Sequence, residues 1–219
     1  MADEQAGKVK AQEGAERKSE TQAPLRAADR IRNTARDLFY REGIRAVGVD
    51  AIVAQAGVTK PSLYRSFASK DELAASYLRD YDRDFWRRFD EAAAAHPNDP
   101  RAQLKVFFEN LAGRASRAGY RGCGLTNAAV EYPESDHPAR QVAVANKREL
   151  RRRLRELAAR MGAQRHEALG DGLLLWLEGA YASGQLFGED GPAQYVAEMA
   201  DLFIGAYLGG AKKDKAVRC

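Results

Sequence analysis

Residues 48–73 have the sequence GVDAIVAQAGVTKPSLYRSFASKDEL. Apolar residues recur at helical spacing on both sides of Gly57-Val58-Thr59, and Pro61 stands in the first turn of the second stretch, where proline is tolerated. The pattern predicts two short helices, at about 49–56 and 61–67. Two short helices joined by a tight turn are typical of a helix-turn-helix motif.

The second short helix is expected to turn polar side chains outward near its N-terminus. Ile52, Ala56 and Leu63 would form the small core of the motif, with Val58 filling the angle between the helices. Hydroxyl, ammonium and guanidinium groups on the opposite face are the types that donate to phosphates and base edges. The residues predicted to contact DNA are Thr59, Lys60, Pro61, Ser62, Tyr64, Arg65 and Lys70.

Positive charge is concentrated around this motif. Residues 26–70 contain nine Lys and Arg against four Asp and Glu, a net charge of +5, whereas the whole chain carries +4. A basic segment in an otherwise near-neutral chain indicates a polyanionic partner for that segment, although a solvated basic surface would give the same count.

Helical patterns continue on both sides of the motif. Ile31, Ala35, Leu38 and Phe39 share one face of a helix that would end near Gly43. On the other side, Ser69 and Glu72 have the spacing of a capping box, and the helix that they open is expected to reach about Ala95. These flanking helices complete the surroundings of the motif.

The segment from Ile31 to Leu73 resembles the N-terminal DNA-binding domain of TetR/AcrR-type transcriptional regulators. The similarity rests on Ile52…Ala56-Gly57-Val58-Thr59 and Leu63-Tyr64…Phe67…Ser69-Lys70…Leu73. Gly48 replaces the usual capping Ser or Thr, and Ser66 replaces a frequent His. The resemblance implies a homodimer on a pseudo-palindromic operator of double-stranded DNA. It also implies repression that ends when a small molecule binds the C-terminal domain.

The rest of the chain is also predicted to be helical, which gives an all-α fold of about nine helices. Further helices are expected at about 101–118, 123–132, 138–162, 166–187 and 192–209. A three-helix DNA-binding domain at 26–70 would precede a ligand-binding and dimerisation domain at 71–210. The first 25 residues have almost nothing to pack and are predicted to form a disordered tail, with a flexible tail at 211–219.

The last two helices are apolar around most of their circumference, which indicates burial on several sides. Two such helices at the end of a chain favour a four-helix interface between two subunits, although burial in one subunit's core is the alternative. The residues predicted for this interface are Leu173, Trp176, Leu202, Phe203 and Tyr207.

A ligand pocket is expected where polar groups lie among apolar helices. Cys123, Asn127 and Glu131 share a face at i, i+4 and i+8, and aromatic residues from neighbouring helices would supply the walls, unless these are ordinary core residues. The predicted ligand-binding residues are Phe85, Trp86, Phe89, Phe108, Cys123, Asn127 and Glu131. The effector would be a small apolar or aromatic molecule.

Three further features have a functional and a plainer interpretation. Cys123 is either a reactive thiol at a helix start or a packing residue. His137 could bind a metal together with Asp136 and Glu131, or it could be the polar cap of a plain turn. No pair of these residues has the spacing of a dedicated metal site, so no metal is expected. The basic helix at 147–160 is either a solvated face or a surface for an acidic partner or a membrane.

Composition and missing motifs bound the function. The longest apolar run, Leu173 to Leu177, is too short to span a membrane, and no apolar stretch follows Met1, so a cytoplasmic protein without membrane contact is expected. No phosphate loop, nucleophile elbow or other catalytic pattern occurs, so the chain is predicted to be neither an enzyme nor a cofactor protein. The alternatives are an activator, a regulator without a small-molecule effector, or a helical ligand-binding or scaffolding protein that does not bind DNA.

Overall fold

A computed structural model describes residues 26–209. Within that range the chain forms nine α-helices and two short 3-10 turns, without a β-strand, which confirms the all-α prediction. The helices are α1 (Ala27–Glu42), α2 (Val49–Ala56), α3 (Lys60–Ser66), α4 (Lys70–Ala95), α5 (Pro100–Ala115), α6 (Gly124–Glu131), α7 (Pro138–Arg160), α8 (His166–Phe187) and α9 (Val196–Gly209). The 3-10 turns lie between α8 and α9. The predicted tails at 1–25 and 211–219 lie outside the described residues.

Helices α1 to α3 form the helix-turn-helix unit around the predicted core. Ile52, Ala56 and Leu63 are buried, and so is the apolar face of α1. Gly57 ends α2 with a φ of +62°, the left-handed conformation that favours glycine and lets the chain turn sharply into α3. The predicted motif and its small core are confirmed.

Helix α4 connects this unit to the remaining helices without a break. Ser69 caps it by accepting a hydrogen bond from the Glu72 amide at 3.1 Å, while the Glu72 carboxylate pairs with Arg79 instead of completing the capping box. Helix α4 packs on α1 and also on α5, α6 and α7. The predicted domain boundary at 70/71 falls in its first turn and stays a prediction.

The basic helix α7 packs against α8, and most of its arginines are neutralised within the subunit. Arg151 and Arg155 both pair with Asp171 at 2.7 Å, and Arg153 pairs with Asp90 and lies over the Trp86 ring. The leucine stripe of α7 is buried beneath them. This arrangement agrees with an amphipathic helix whose charged face is stabilised by its own neighbours.

The α7–α8 contact depends on a glycine. A Cβ atom on Gly170 would lie 2.7 Å from the backbone nitrogen and Cα of Arg155, closer than packed atoms allow. We therefore expect Gly170→Ala to reduce the free energy of unfolding by about 1–3 kcal/mol through overpacking. Gly113→Ala in α5 is the matched control, because open space surrounds it and alanine should stabilise the helix by about 0.5–1 kcal/mol. Urea unfolding of both variants measures the difference, and equal effects would contradict the close approach.

Within the single subunit, the last two helices leave part of their apolar surface exposed. Leu173 is fully buried inside its own subunit, so its prediction as an interface residue is corrected: it is a core residue. Phe203 and Tyr207 are half-buried and contact each other, whereas Trp176 and Leu202 are 40% and 60% exposed. Throughout residues 26–209, no helix is both long and apolar enough to cross a membrane.

Candidate nucleic-acid interface and ligand cavity

Most of the predicted DNA-contacting residues lie on the exposed side of α3 and its N-terminal end. Thr59, Lys60, Pro61 and Arg65 are exposed, and Tyr64 is exposed over 51% of its surface although it is a large aromatic residue. Leu63, between them in sequence, is fully buried and fixes the orientation of α3. The face is therefore polar, basic and held by its own core.

Side chains on this face are already positioned by hydrogen bonds. The Arg65 guanidinium donates to Ser62 Oγ at 2.9 Å, and that hydroxyl lies 3.1 Å from Thr59 Oγ1. Lys60 Nζ pairs with Asp50 at 2.7 Å, and this hydrogen bond raises the pKa of Lys60, which keeps it protonated. A phosphate approaching Lys60 would therefore compete with Asp50.

Lys70 is less free than its sequence position suggested. Its ammonium is half-buried and donates to the Arg45 carbonyl at 3.2 Å, which fastens the α1–α2 loop to the start of α4. Burial lowers the pKa of Lys70. Because an ammonium has three donors, this bond leaves capacity for a phosphate.

Arg45 also joins the α1–α2 loop to α6. Its backbone N–H donates to Glu131 Oε2 at 2.7 Å, and its guanidinium donates to the Glu131 carbonyl at 3.0 Å. Gly43 passes beside the same carboxylate with a φ of +91°, and a Cβ there would lie 3.1 Å from Glu131 Oε1. Glu131, predicted as a ligand-binding residue, thus holds the helix-turn-helix unit against α6.

Tyr40 makes a second connection between α1 and the segment before α6. Its hydroxyl donates to the Gly122 carbonyl at 3.3 Å and accepts from the Arg121 amide at 3.0 Å. The Tyr40 ring stacks on Tyr81 of α4, with 6.4 Å between centroids. Both connections, one to α6 and one to the segment before it, therefore begin in the helix-turn-helix part of the chain.

Beside Tyr40 lies a cavity of about 290 Å³ between α1, α4, α5 and α8. Its aromatic walls are Tyr40, Tyr81, Phe85, Tyr120 and Tyr181. Burial raises the pKa values of these tyrosines, so their hydroxyls remain neutral hydrogen-bonding groups. The cavity is therefore rich in apolar surface with a few polar groups, which is the character of a small-molecule site.

Three arginines complete the cavity wall. Arg88 comes from α4, Arg114 from the last turn of α5, and Arg117 from the segment that follows. None of the ten lining residues is acidic. Burial first, and then the nearby Arg88 charge, lower the pKa of Arg114, so this guanidinium is held where its charge is poorly compensated.

Of the predicted ligand-binding residues, Phe85 lies in the wall of this cavity. Asn127 and Glu131 line a second cavity of about 230 Å³, which Tyr40 also lines. Phe89 and Phe108 are buried in an aromatic cluster with Phe107, and Trp86 is covered by Arg153. The face predicted from helical spacing is therefore divided between two cavities and the core.

The sequence missed most of the cavity, although α4 carried a signal for it. Tyr77, Tyr81, Phe85 and Arg88 follow one another at i, i+4, i+8 and i+11, so they share one face of that helix. Tyrosines leading to an arginine on one helix face are unusual for a pure core stripe. Arg114, Tyr120 and Tyr181 come from distant segments and lacked a comparable pattern.

The side chains of Cys123 and His137 contact neighbouring residues of the fold. The Cys123 thiol is buried and accepts a hydrogen bond from Lys147 Nζ at 3.5 Å. His137 caps α7 by accepting from the Ala139 amide, and its ring stacks on Tyr132 at 3.7 Å. Across the described part of the chain, no group of three or more His, Cys, Asp or Glu residues is arranged to hold a metal ion.

Comparison with known proteins places this architecture in one family. Residues 31–77 match the profile of the family described as "Bacterial regulatory proteins, tetR family". A curated relative, the transcriptional regulator AcuR of Cereibacter sphaeroides, is 33% identical over 91 residues, and the aligned part spans 41% of this chain and 42% of AcuR.

Solved structures extend the similarity beyond the helix-turn-helix unit. A TetR-family transcriptional regulator from Streptomyces coelicolor is 32% identical, with a TM-score of 0.76 over 85% of this chain and 96% of that one. A putative TetR regulator from Streptomyces avermitilis is 30% identical, with a TM-score of 0.74 over 84% and 98% of the two chains. Since the likeness covers nearly the whole of these relatives at this identity, the chain is a member of the TetR family and a DNA-binding transcriptional regulator.

Proposed function

We propose that this regulator is a homodimeric repressor that leaves a pseudo-palindromic operator when a small molecule binds among its C-terminal helices. In this proposal each subunit places α3 in the major groove. Thr59, Lys60, Ser62, Tyr64 and Arg65 then contact bases and phosphates, and Lys70 contacts a flanking phosphate. The chain would act by binding and not by catalysis.

The dimer is supported by an apolar face on α8 and its continuation toward α9. Leu175, Gly179, Ala182 and Leu186 are all exposed and follow one another at helical spacing on α8. Helices α8 and α9 contact each other, so Leu202 on α9 extends the apolar surface. A large exposed apolar patch on a globular chain marks an interaction site, and two copies of this face would make a symmetric four-helix interface.

The observation that carries the ligand-release proposal is the position of Tyr40. Its ring lines the 290 Å³ cavity, and its hydroxyl holds the segment that leads into α6. A molecule entering the cavity would contact a side chain of α1, a helix of the DNA-binding part. Differential contacts of this kind are what a ligand needs to shift an equilibrium between two conformations.

The first test is selection of DNA from a random pool, followed by affinity measurements on the enriched sequence. The proposal requires two half-sites about one helical turn apart and a stoichiometry of two chains per site. A promoter carrying that sequence should lose expression when the protein is supplied. Increased expression would indicate an activator, and sequence-blind binding would contradict operator recognition.

The Arg45–Glu131 connection gives a separate prediction. Glu131→Ala removes the acceptor of the Arg45 amide, a charge-assisted bond, so exchange of that amide with solvent should become about tenfold faster or more. Hydrogen exchange followed by NMR measures this directly. Glu134→Ala, an exposed carboxylate in the next turn, is the control and should leave Arg45 unchanged. Equal exchange in both variants would mean that Glu131 does not hold the α1–α2 loop.

A further inference from the structure

The three arginines of the cavity differ from the arginines that form ion pairs elsewhere in the subunit. Arg36, Arg79, Arg101, Arg151 and Arg155 each pair with a carboxylate of the same subunit. Over residues 26–209, in contrast, no Asp or Glu lies within ion-pair distance of Arg88, Arg114 or Arg117. Positive charge has therefore accumulated beside this cavity without an internal counter-charge.

The surroundings of Arg114 make this imbalance costly. The guanidinium is half-buried, and the ionisable side chains near it are those of Arg88, Tyr81, Tyr120 and Tyr181, without an acid among them. A partly dehydrated charge without a partner loses hydration energy that tyrosine hydroxyls do not fully replace. A bound anion would supply the missing counter-charge at this point.

We infer that the cavity binds a small organic anion, such as a carboxylate, with an apolar or aromatic body. Its charged group lies against Arg88 and Arg114, and its body packs among Tyr40, Tyr81 and Phe85. The inference rests on the proposed ligand-binding role of the C-terminal helices, and it narrows the effector from a generic apolar molecule to an acid.

Cavity size and chemistry set the shape of the ligand. The volume of about 290 Å³ is roughly twice that of a cavity that accepts benzene, which leaves room for one ring and a short acidic group. Guanidinium groups bind carboxylates through paired N–H donors, and the tyrosine hydroxyls offer further donors to the same oxygen atoms. The Tyr40–Tyr81 stack provides a flat apolar wall for the ring.

Two sets of matched compounds test the inference on the full chain without DNA. Benzoate, benzamide and benzamidine share one shape and differ in charge, and hexanoate, hexanamide and hexylamine form the aliphatic counterpart. Titration calorimetry should show at least one acid binding about tenfold or more tightly than its neutral partner, with the cation weakest. The inference is overturned if neither set prefers its acid, whether or not the neutral compounds bind.

Variants at Arg114 identify the group responsible. Arg114→Met, which keeps an unbranched side chain but removes the charge, should abolish the preference for the acid, and Arg114→Lys should retain it. Without ligand, Arg114→Met should also raise the unfolding temperature by about 2 °C or more, because it removes an uncompensated charge. Arg155→Met is the control: Arg155 is also partly buried but pairs with Asp171, so the unfolding temperature of this variant should fall.

A second position covers the case in which Arg114→Met does not fold. Arg88→Met should weaken acid binding in the same direction. If both variants still prefer the acid, the charged group of the ligand does not lie against Arg88 and Arg114. If an acid binds through Arg114 without weakening operator binding, this inference holds and ligand release is contradicted. If only a neutral molecule releases the operator, ligand release holds and this inference is contradicted.

Discussion

Simultaneous replacement of Lys60 and Tyr64 by alanine is expected to reduce operator affinity roughly a thousandfold. Removing each side chain should cost about 1 kcal/mol or more of binding free energy per subunit. The dimer carries two copies of both, which gives about 4 kcal/mol in total. Both residues are exposed, and neither contributes to the core beneath α3. The unfolding temperature should therefore stay within the small range that is typical of surface substitutions.

Fluorescence anisotropy on the selected operator, repeated at several salt concentrations, measures this loss and divides it. If each subunit neutralises about four phosphates, log K against log salt should have a slope of roughly −7, and Lys60→Ala alone should flatten it by about 2 for the dimer. Tyr64→Ala should weaken binding with little change in slope. Arg148→Ala, an exposed arginine on α7, is the control. Unchanged affinity in the double variant would show that α3 is not the recognition helix.

The second large effect is expected at the proposed dimer interface. Leu175 and Leu202 are 74% and 60% exposed in the single subunit, so glutamate at both positions should cost the folded subunit little. In a dimer the same change would bury four carboxylates in an apolar contact, which is strongly unfavourable. Sedimentation should then show a monomer where the parent chain forms a dimer.

Loss of the dimer should also remove most operator binding. Two linked recognition helices bind adjacent half-sites with an effective concentration that a single subunit lacks, and this advantage is typically about 10²–10⁴-fold. Val130→Glu provides the control, because Val130 is 79% exposed but lies on α6 and not on α8 or α9. If the double variant remains dimeric, the dimer interface lies on another surface.

The helix-turn-helix unit could be predicted because its determinants are local. Gly57 at the turn, the buried spacing of Ile52, Ala56 and Leu63, and the cap at Ser69 all act within a few residues of one another. Helical periodicity also indicated where the remaining helices lie, to within a few residues. Periodicity did not show which apolar residues of α8 pack inside their own subunit, so Leu173, which was predicted at the interface, lies in the core.

The cavity was outside the reach of sequence patterns because its wall is assembled from four helices. Arg114 and Tyr181 are 67 positions apart in the chain, and their side chains meet only after α5 and α8 pack. The missing counter-charge was equally hidden, since the sequence shows how many acids a chain has but not which base each one pairs with.

The amino-acid sequence alone therefore determined the all-α class, the DNA-binding motif and the residues on its outer face, because turns, caps and amphipathic spacing are short-range properties. Tertiary structure decided which apolar residues stay exposed on α8 and α9, and it brought Glu131 and Tyr40 into contacts that join α6 to the DNA-binding part. It also decided which arginines have no carboxylate within ion-pair distance. Pairing, burial and cavity shape depend on contacts between segments distant in the chain, and those exist only once the helices have packed.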